Sequence, residues 1–183
     1  MNRLFATLRI AGALMATTSA ISIVHQADAA ATCFGKTVTI TGAGTINGTP
    51  GNDVILGSDR NDTIDGKGGT DYICAGEGND KVVATSNVRV FVRGNAGNDD
   101  ITGSNGADEL YGDDGHDKLR GQGGDDKIVG GTGRDSGAGG DGNDLIYGGD
   151  DKDKLTGGEG DDEMYGQAGM DTLYGQNGDD LLD

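Results

Sequence analysis

The chain has 183 residues, of which 31 are acidic and 14 basic, for a formal charge of −17 at pH 7. With 37 glycines, three phenylalanines and no tryptophan, it lacks the material for a wide apolar core, and composition alone would place it among disordered chains. The acidic balance makes nucleic acid and anionic membranes poor partners and divalent cations good ones.

Residues 1–29 read as a secretory signal peptide. Arg3 and Arg9 give a basic start, 10–24 is mostly apolar or small, and Ala27-Asp28-Ala29 forms a small-x-small cleavage site. A membrane anchor is the alternative, but the run is too short and too broken by Thr and Ser to span a bilayer, and no later stretch qualifies. Cleavage after Ala29 leaves 12 basic and 30 acidic residues, a formal charge of −18. An exported chain meets an oxidising compartment, which favours a disulfide between Cys33 and Cys74 over two free thiols. Their spacing fits neither a redox motif nor a zinc site. His116, the only histidine after the leader, reads as an ordinary loop side chain facing solvent.

Segment 30–47 is expected to form an N-terminal cap. Lys36-Thr37-Val38-Thr39-Ile40 alternates as a strand, Ile46 stands nine residues before Ile55, and the disulfide would fasten this cap to the second coil.

From Gly48 a nine-residue rhythm takes over. It places Asp53, Asp62, Asp71 and Asp80, pauses, then resumes with Asp99, Asp108, Asp117, Asp126, Asp135, Asp144, Asp153, Asp162, Asp171 and Asp180. Two residues after each Asp stands an apolar side chain, with Gly137 the one exception, and five before it a Gly, with Ala75 the one exception. The unit is G-G-x-G-x-D-x-U-x, whose physical reading is a calcium-loaded parallel β-helix. In Gly112–Arg120, glycines permit a tight turn and Asp117-Lys118-Leu119-Arg120 alternates with the strand period. One such unit cannot enclose a core, but two can. A coil is therefore 18 residues, and residue i lies over i+18. This sorts Ile55, Ile73, Leu110, Ile128, Ile146, Met164 and Leu182 into one inward ladder. Ile64, Val82, Ile101, Leu119, Gly137, Leu155 and Leu173 form the facing one.

Between Asp80 and Asp99 the interval is one coil plus one residue. The reading is a first repeat block at 48–83, a degenerate coil at 84–98 and a second block at 99–183, led by the turn 94–98. Arg89 falls on the expected Asp position and Phe91 on the apolar one, which puts a one-residue bulge near Val92 or Arg93. A hinge between two blocks is the alternative.

Stacking brings the aspartates of adjacent coils together, and unmetallated columns of carboxylates repel. Calcium takes six to eight oxygens, both carboxylate and carbonyl. The turn carbonyls of Gly112, Gly121, Gly130, Gly139, Gly148, Gly157 and Gly166 are the expected partners of the repeat aspartates. Thiols and imidazoles are nearly absent, which argues against softer metals. Counting adjacent pairs gives about six to eleven calcium ions.

Gly48 to Asp183 resembles the repeat region of the hemolysin-type calcium-binding family, the repeats-in-toxin β-roll. The resemblance implies an all-β parallel roll, the same aspartate and carbonyl ligands, and folding outside the cell on meeting calcium. The start Ala-Thr-Cys followed by repeats is also similar to small secreted calcium-binding proteins of bacteria, so the expected location is extracellular. The N-terminal signal departs from the family's usual C-terminal one.

The expected function is a secreted calcium-binding structural or interaction module. Alternatives are a calcium-dependent adhesin binding a cell surface or glycan, and the non-catalytic tail of a truncated enzyme or toxin. Tyr111, Tyr147 and Tyr165 would share one outward face and Tyr174 the other. Leu181 and Leu182 offer a route to end-to-end self-association. Enzymatic activity is not expected, because the paired carboxylates recur with the coil and no nucleophile elbow or HExxH motif is present.

Overall fold

The structure, a computed structural model, describes residues 31–183; the expected signal peptide lies outside them. From Ile40 onward, successive strands fall alternately on two parallel sheets. Sheet I has nine strands, from Ile40–Thr41 to Leu181–Leu182, and sheet II has eight, from Thr45–Asn47 to Thr172–Asn177. This is the all-β parallel roll that the repeat predicts. In the regular region Leu110, Ile128, Ile146 and Met164 lie in register on sheet I. On sheet II the row is Ile101, Leu119, Gly137, Leu155 and Leu173.

One inward side chain per nonapeptide is enough because rungs are only about 4.8 Å apart, so each branched side chain rests on those above and below. Ile55, Ile64, Ile73, Leu110, Ile128 and Ile146 are completely buried. Leu182, on the last described rung, is 45% exposed. Gly137 leaves a gap in its ladder into which Ile146, Leu155 and Ile128 lean. A β-carbon there would stand 3.2 Å from Ile146 Cγ2 and 3.3 Å from Leu155 Cδ2. Gly137→Ala is therefore expected to stabilise the roll by about 0.5–1 kcal/mol, through lower unfolded-state entropy and added contact. The thermal midpoint in calcium checks this. A lower midpoint would show that the three neighbours cannot yield.

Two expectations are corrected. The coil between the two runs has a phase shifted by one from that expected: Phe91 pairs with Tyr72 and Val92 with Ile73, so Val92 is the inward residue. Val90, not Arg89, takes the aspartate slot, and Phe91 lies on the outer face. The extra residue enters earlier than Val92 or Arg93, at Thr85–Ser86. Ala84 still follows the register of Thr102–Gly103, while Asn87 is already in register with Asn105. The reason is burial. This phase places Val90 and Val92 fully inside a space sized for aliphatic side chains and leaves Arg89 outside, paired with Glu109.

The second correction concerns the cap. Lys36 to Ile40 is not one strand. Lys36–Thr37 forms an antiparallel hairpin with Thr32–Cys33, and Ile40–Thr41 separately joins sheet I. The hairpin lies against the outer face of sheet I, where Cys33 is bonded to Cys74 with a Cα–Cα distance of 5.8 Å. Phe34 at its tip meets Tyr72 at 5.9 Å and Phe91 at 6.0 Å between ring centroids. The outward phase of Phe91 is thus used to seat the hairpin.

Candidate metal centre

The repeat aspartates stand at the mouth of each turn, where the glycine-rich segment enters the strand. Asp53 through Asp162 are all buried, none more than 6% exposed, while Asp171 and Asp180 are partly exposed on the last turns. Stacking them at one-coil intervals produces two columns. On the sheet II side, the N–H of each aspartate donates to Oδ1 of the next, through Asp62, Asp80, Asp99, Asp117, Asp135, Asp153 and Asp171, at 2.7–2.9 Å. On the sheet I side, Asp53 donates to Asp71. The run resumes from Val90 through Asp108, Asp126, Asp144, Asp162 and Asp180. Val90 donates its N–H but offers no carboxylate, so the column is interrupted there.

Oδ1 is thus satisfied and Oδ2 is left. In Asp71, Asp80, Asp99, Asp117, Asp126, Asp135, Asp144, Asp153 and Asp162 the Oδ2 atom is buried without any hydrogen-bond partner. A buried ionised oxygen with no partner is strongly disfavoured. Accordingly burial, partly offset by the N–H of Asp108, pushes the Asp126 carboxyl up to about 8, with repulsion from Asp108 and Asp144 added. Asp99, Asp135 and Asp144 are pushed up to about 7, and Asp71 and Asp117 to about 6, burial leading in each case.

The glycine that opens each turn makes room for this oxygen. A β-carbon on Gly148 would stand 2.5 Å from Asp153 Oδ2 and 2.8 Å from the carbonyl oxygen of Gly166, one coil on. The same convergence joins Asp99 with Gly112, Asp108 with Gly121, Asp117 with Gly130, Asp126 with Gly139, and Asp135 with Gly148. Gly157 opens the turn of Asp162, where the carbonyl of Gly175 also arrives. The Oδ2 oxygen, orphaned in all of these but Asp108, where it accepts the Ser104 N–H, thus faces a common point with the carbonyl of the next coil. Further carbonyls, which sequence reasoning did not name, come from the second and fourth turn positions. Those of Gly131 and Gly115 are directed at Gly149 and Gly133 of the next coil. Positive φ at these positions, as at Gly131 (121°) and Gly133 (108°), turns their peptide planes. The recurring glycine at the fourth position was the available signal.

Among the described residues no three His, Cys, Asp or Glu side chains converge. With one aspartate per turn, a cation here must be completed by backbone carbonyls. That donor set is all oxygen, anionic and open to several ligands, and it fits calcium. The cysteines are consumed by the disulfide. His116 is exposed, as expected, but it is not idle: its Nδ1 accepts the N–H of Arg134 at 2.8 Å. It continues a ladder in which Asn61, Asn79 and Asn98 accept the N–H one coil on.

Among curated proteins nothing matches the chain. The family described as RTX calcium-binding nonapeptide repeat (4 copies) matches residues 47–82, 93–128, 102–137, 129–164 and 156–183. Its repeat is a structural, calcium-binding motif and not a catalytic one. Stacked coils, buried aspartate columns and a match over most of the sequence agree: the chain belongs to the RTX calcium-binding nonapeptide repeat family.

Proposed function

We propose that this chain is an exported interaction module that assembles its roll by taking up calcium between successive coils. The observation that carries this reading is the set of buried, unpartnered Oδ2 atoms, of which those of Asp99, Asp117, Asp126, Asp135, Asp153 and Asp162 face a carbonyl of the neighbouring coil. Each ion would be held by aspartates of the two coils it joins, with turn carbonyls such as those of Gly130, Gly148 and Gly166. Binding would therefore be coupled to folding and cooperative along the stack. The leader-like sequence at 1–29 supports export to a calcium-rich exterior.

The number of ions tests the arrangement. Adjacent aspartate pairs give five positions in the interrupted column and six in the continuous one, and end coils bind more weakly. Native mass spectrometry in calcium is expected to show about six to eleven ions per chain. Fewer than about four would refute sites between every pair of coils.

A further inference from the structure

The slot before each sheet II aspartate changes character along the roll. Asn61, Asn79, Asn98 and His116 each turn their side chain back to accept the backbone N–H of the next coil. Arg134 and Lys152 follow in the same slot and cannot accept, so their side chains are released outward. Two positions further along the chain, the outer face of sheet II carries Lys154 and Thr172. Together with His116, Asp135, Asp153 and Tyr174, they line a cleft of about 530 Å³, within the range of small-ligand sites.

Three basic side chains line this cleft together. The chain has 31 acidic residues against 14 basic ones, and ion pairs form at Arg60, Lys67, Arg89, Arg93 and Arg120. Yet among the described residues none of Arg134, Lys152 and Lys154 is paired with a carboxylate. Arg134 and Lys152 stand without an ion pair beside Lys154, which lies over the Tyr174 ring, and together they present positive charge to an anion from outside. The carboxylates of Asp135 and Asp153 form the floor, and they are committed to the metal column. Because His116 Nδ1 accepts a hydrogen bond, the neutral ring carries its proton on Nε2 and is a further donor.

The remaining wall is aromatic. Tyr174 is 51% exposed, with Lys154 Nζ 5.9 Å from its ring centroid. On the opposite sheet Tyr147 and Tyr165 stack on each other at 5.2 Å, whereas Tyr174 stacks on no other aromatic ring among the described residues and has Lys154 over one face only. An exposed aromatic face beside hydroxyl and cationic donors suits the C–H face of a sugar ring bearing an acid group. A long polyanion would run into the acidic surface on either side, so a single charged ring fits better.

We infer that this cleft binds an acidic monosaccharide, a hexuronate whose carboxylate meets Arg134 and Lys152 while its ring lies on Tyr174. The inference rests on the calcium-assembled roll, because only stacking brings residues from four coils to one place. The test uses the full exported chain in excess calcium, titrated with sodium glucuronate, glucose and sodium sulfate at equal ionic strength. Amide and Tyr174 ring resonances are followed by NMR, and circular dichroism is recorded on the same samples. Saturable glucuronate shifts at Arg134, Lys152 and Tyr174 are expected, with glucose and sulfate at least about tenfold weaker. Arg134→Ala combined with Lys152→Ala should weaken glucuronate by a similar factor, and Tyr174→Ala should bring it down to the level of sulfate. Equal binding of glucose would overturn the anion site, and equal binding of sulfate would overturn the sugar. A folded roll that ignores glucuronate overturns the cleft alone. A chain that fails to fold in calcium overturns the proposed function and the cleft with it.

Discussion

In excess chelator at neutral pH the chain after Ala29 is expected to lose most of its β-structure, and millimolar calcium is expected to restore it. At least nine carboxylate oxygens lie buried without a donor in the stacked coils. Removing the cation leaves those charges facing one another inside a core that has one inward apolar side chain per nonapeptide. Burying unpaired charge costs several kcal/mol per ion, more than that side chain returns. Far-UV circular dichroism across a calcium titration measures the transition, and an unchanged β-signal in chelator would sink the idea. Magnesium at equal concentration should order the chain much less, because its tight octahedron is poorly served by a cage of carbonyls.

The same buried carboxylates set a pH dependence of opposite sign with and without metal. Their folded-state values, about 6 for Asp71 and Asp117 up to about 8 for Asp126, lie above the ordinary 3.8. A carboxyl raised in the folded state contributes stability that is full below the ordinary value and is lost as pH rises through the folded one. The metal-free roll should therefore gain structure as pH falls from 8 towards 4. In calcium, protons compete with the ion for the same oxygens, so the calcium midpoint should rise over that range. Dichroism at fixed calcium and in chelator, each against pH, gives both slopes. Parallel slopes would mean that the aspartates are not the shared ligand.

Much of this was legible because a strict nonapeptide leaves little freedom. Asp117, Leu119 and Gly112 define turn, rung and register in one unit, and repetition fixes the coil at two units. What was not legible depended on volume and on local mimicry. Spacing revealed one extra residue between Asp80 and Asp99, but both phases of Val88-Arg89-Val90-Phe91-Val92 alternate equally well. Only the size of the interior and the Arg89–Glu109 pair choose Val90 and Val92. His116 looked idle because an imidazole does not resemble an asparagine in a sequence, yet its Nδ1 replaces an amide oxygen. The matching slots Asn61, Asn79 and Asn98 were the clue.

Asp126 provides the sharpest separation of carboxylate from scaffold. Its Oδ1 accepts the N–H of Asp108, its own N–H donates to Asp144, and its Oδ2 faces the carbonyl of Gly139. Asp126→Ala removes a carboxylate from two adjacent proposed sites and orphans the N–H of Asp108. In sufficient calcium it should cost about 2–5 kcal/mol and raise the calcium midpoint. Asp126→Asn keeps the acceptor for Asp108 and turns an amide N–H₂ towards Gly139, so it removes a buried charge while preserving the ladder. It should also raise the calcium midpoint, yet leave more β-structure in chelator than the parent chain does. His116→Ala deletes a single acceptor and should cost about 1 kcal/mol without moving calcium affinity at the Asp126 sites. His116→Asn should restore the loss, since it extends the asparagine ladder. Calcium titrations and chelator baselines of the four variants, run side by side, decide the matter. If Asp126→Asn destabilised the chelated chain as much as Asp126→Ala, the raised carboxyl would not be what opposes folding without metal.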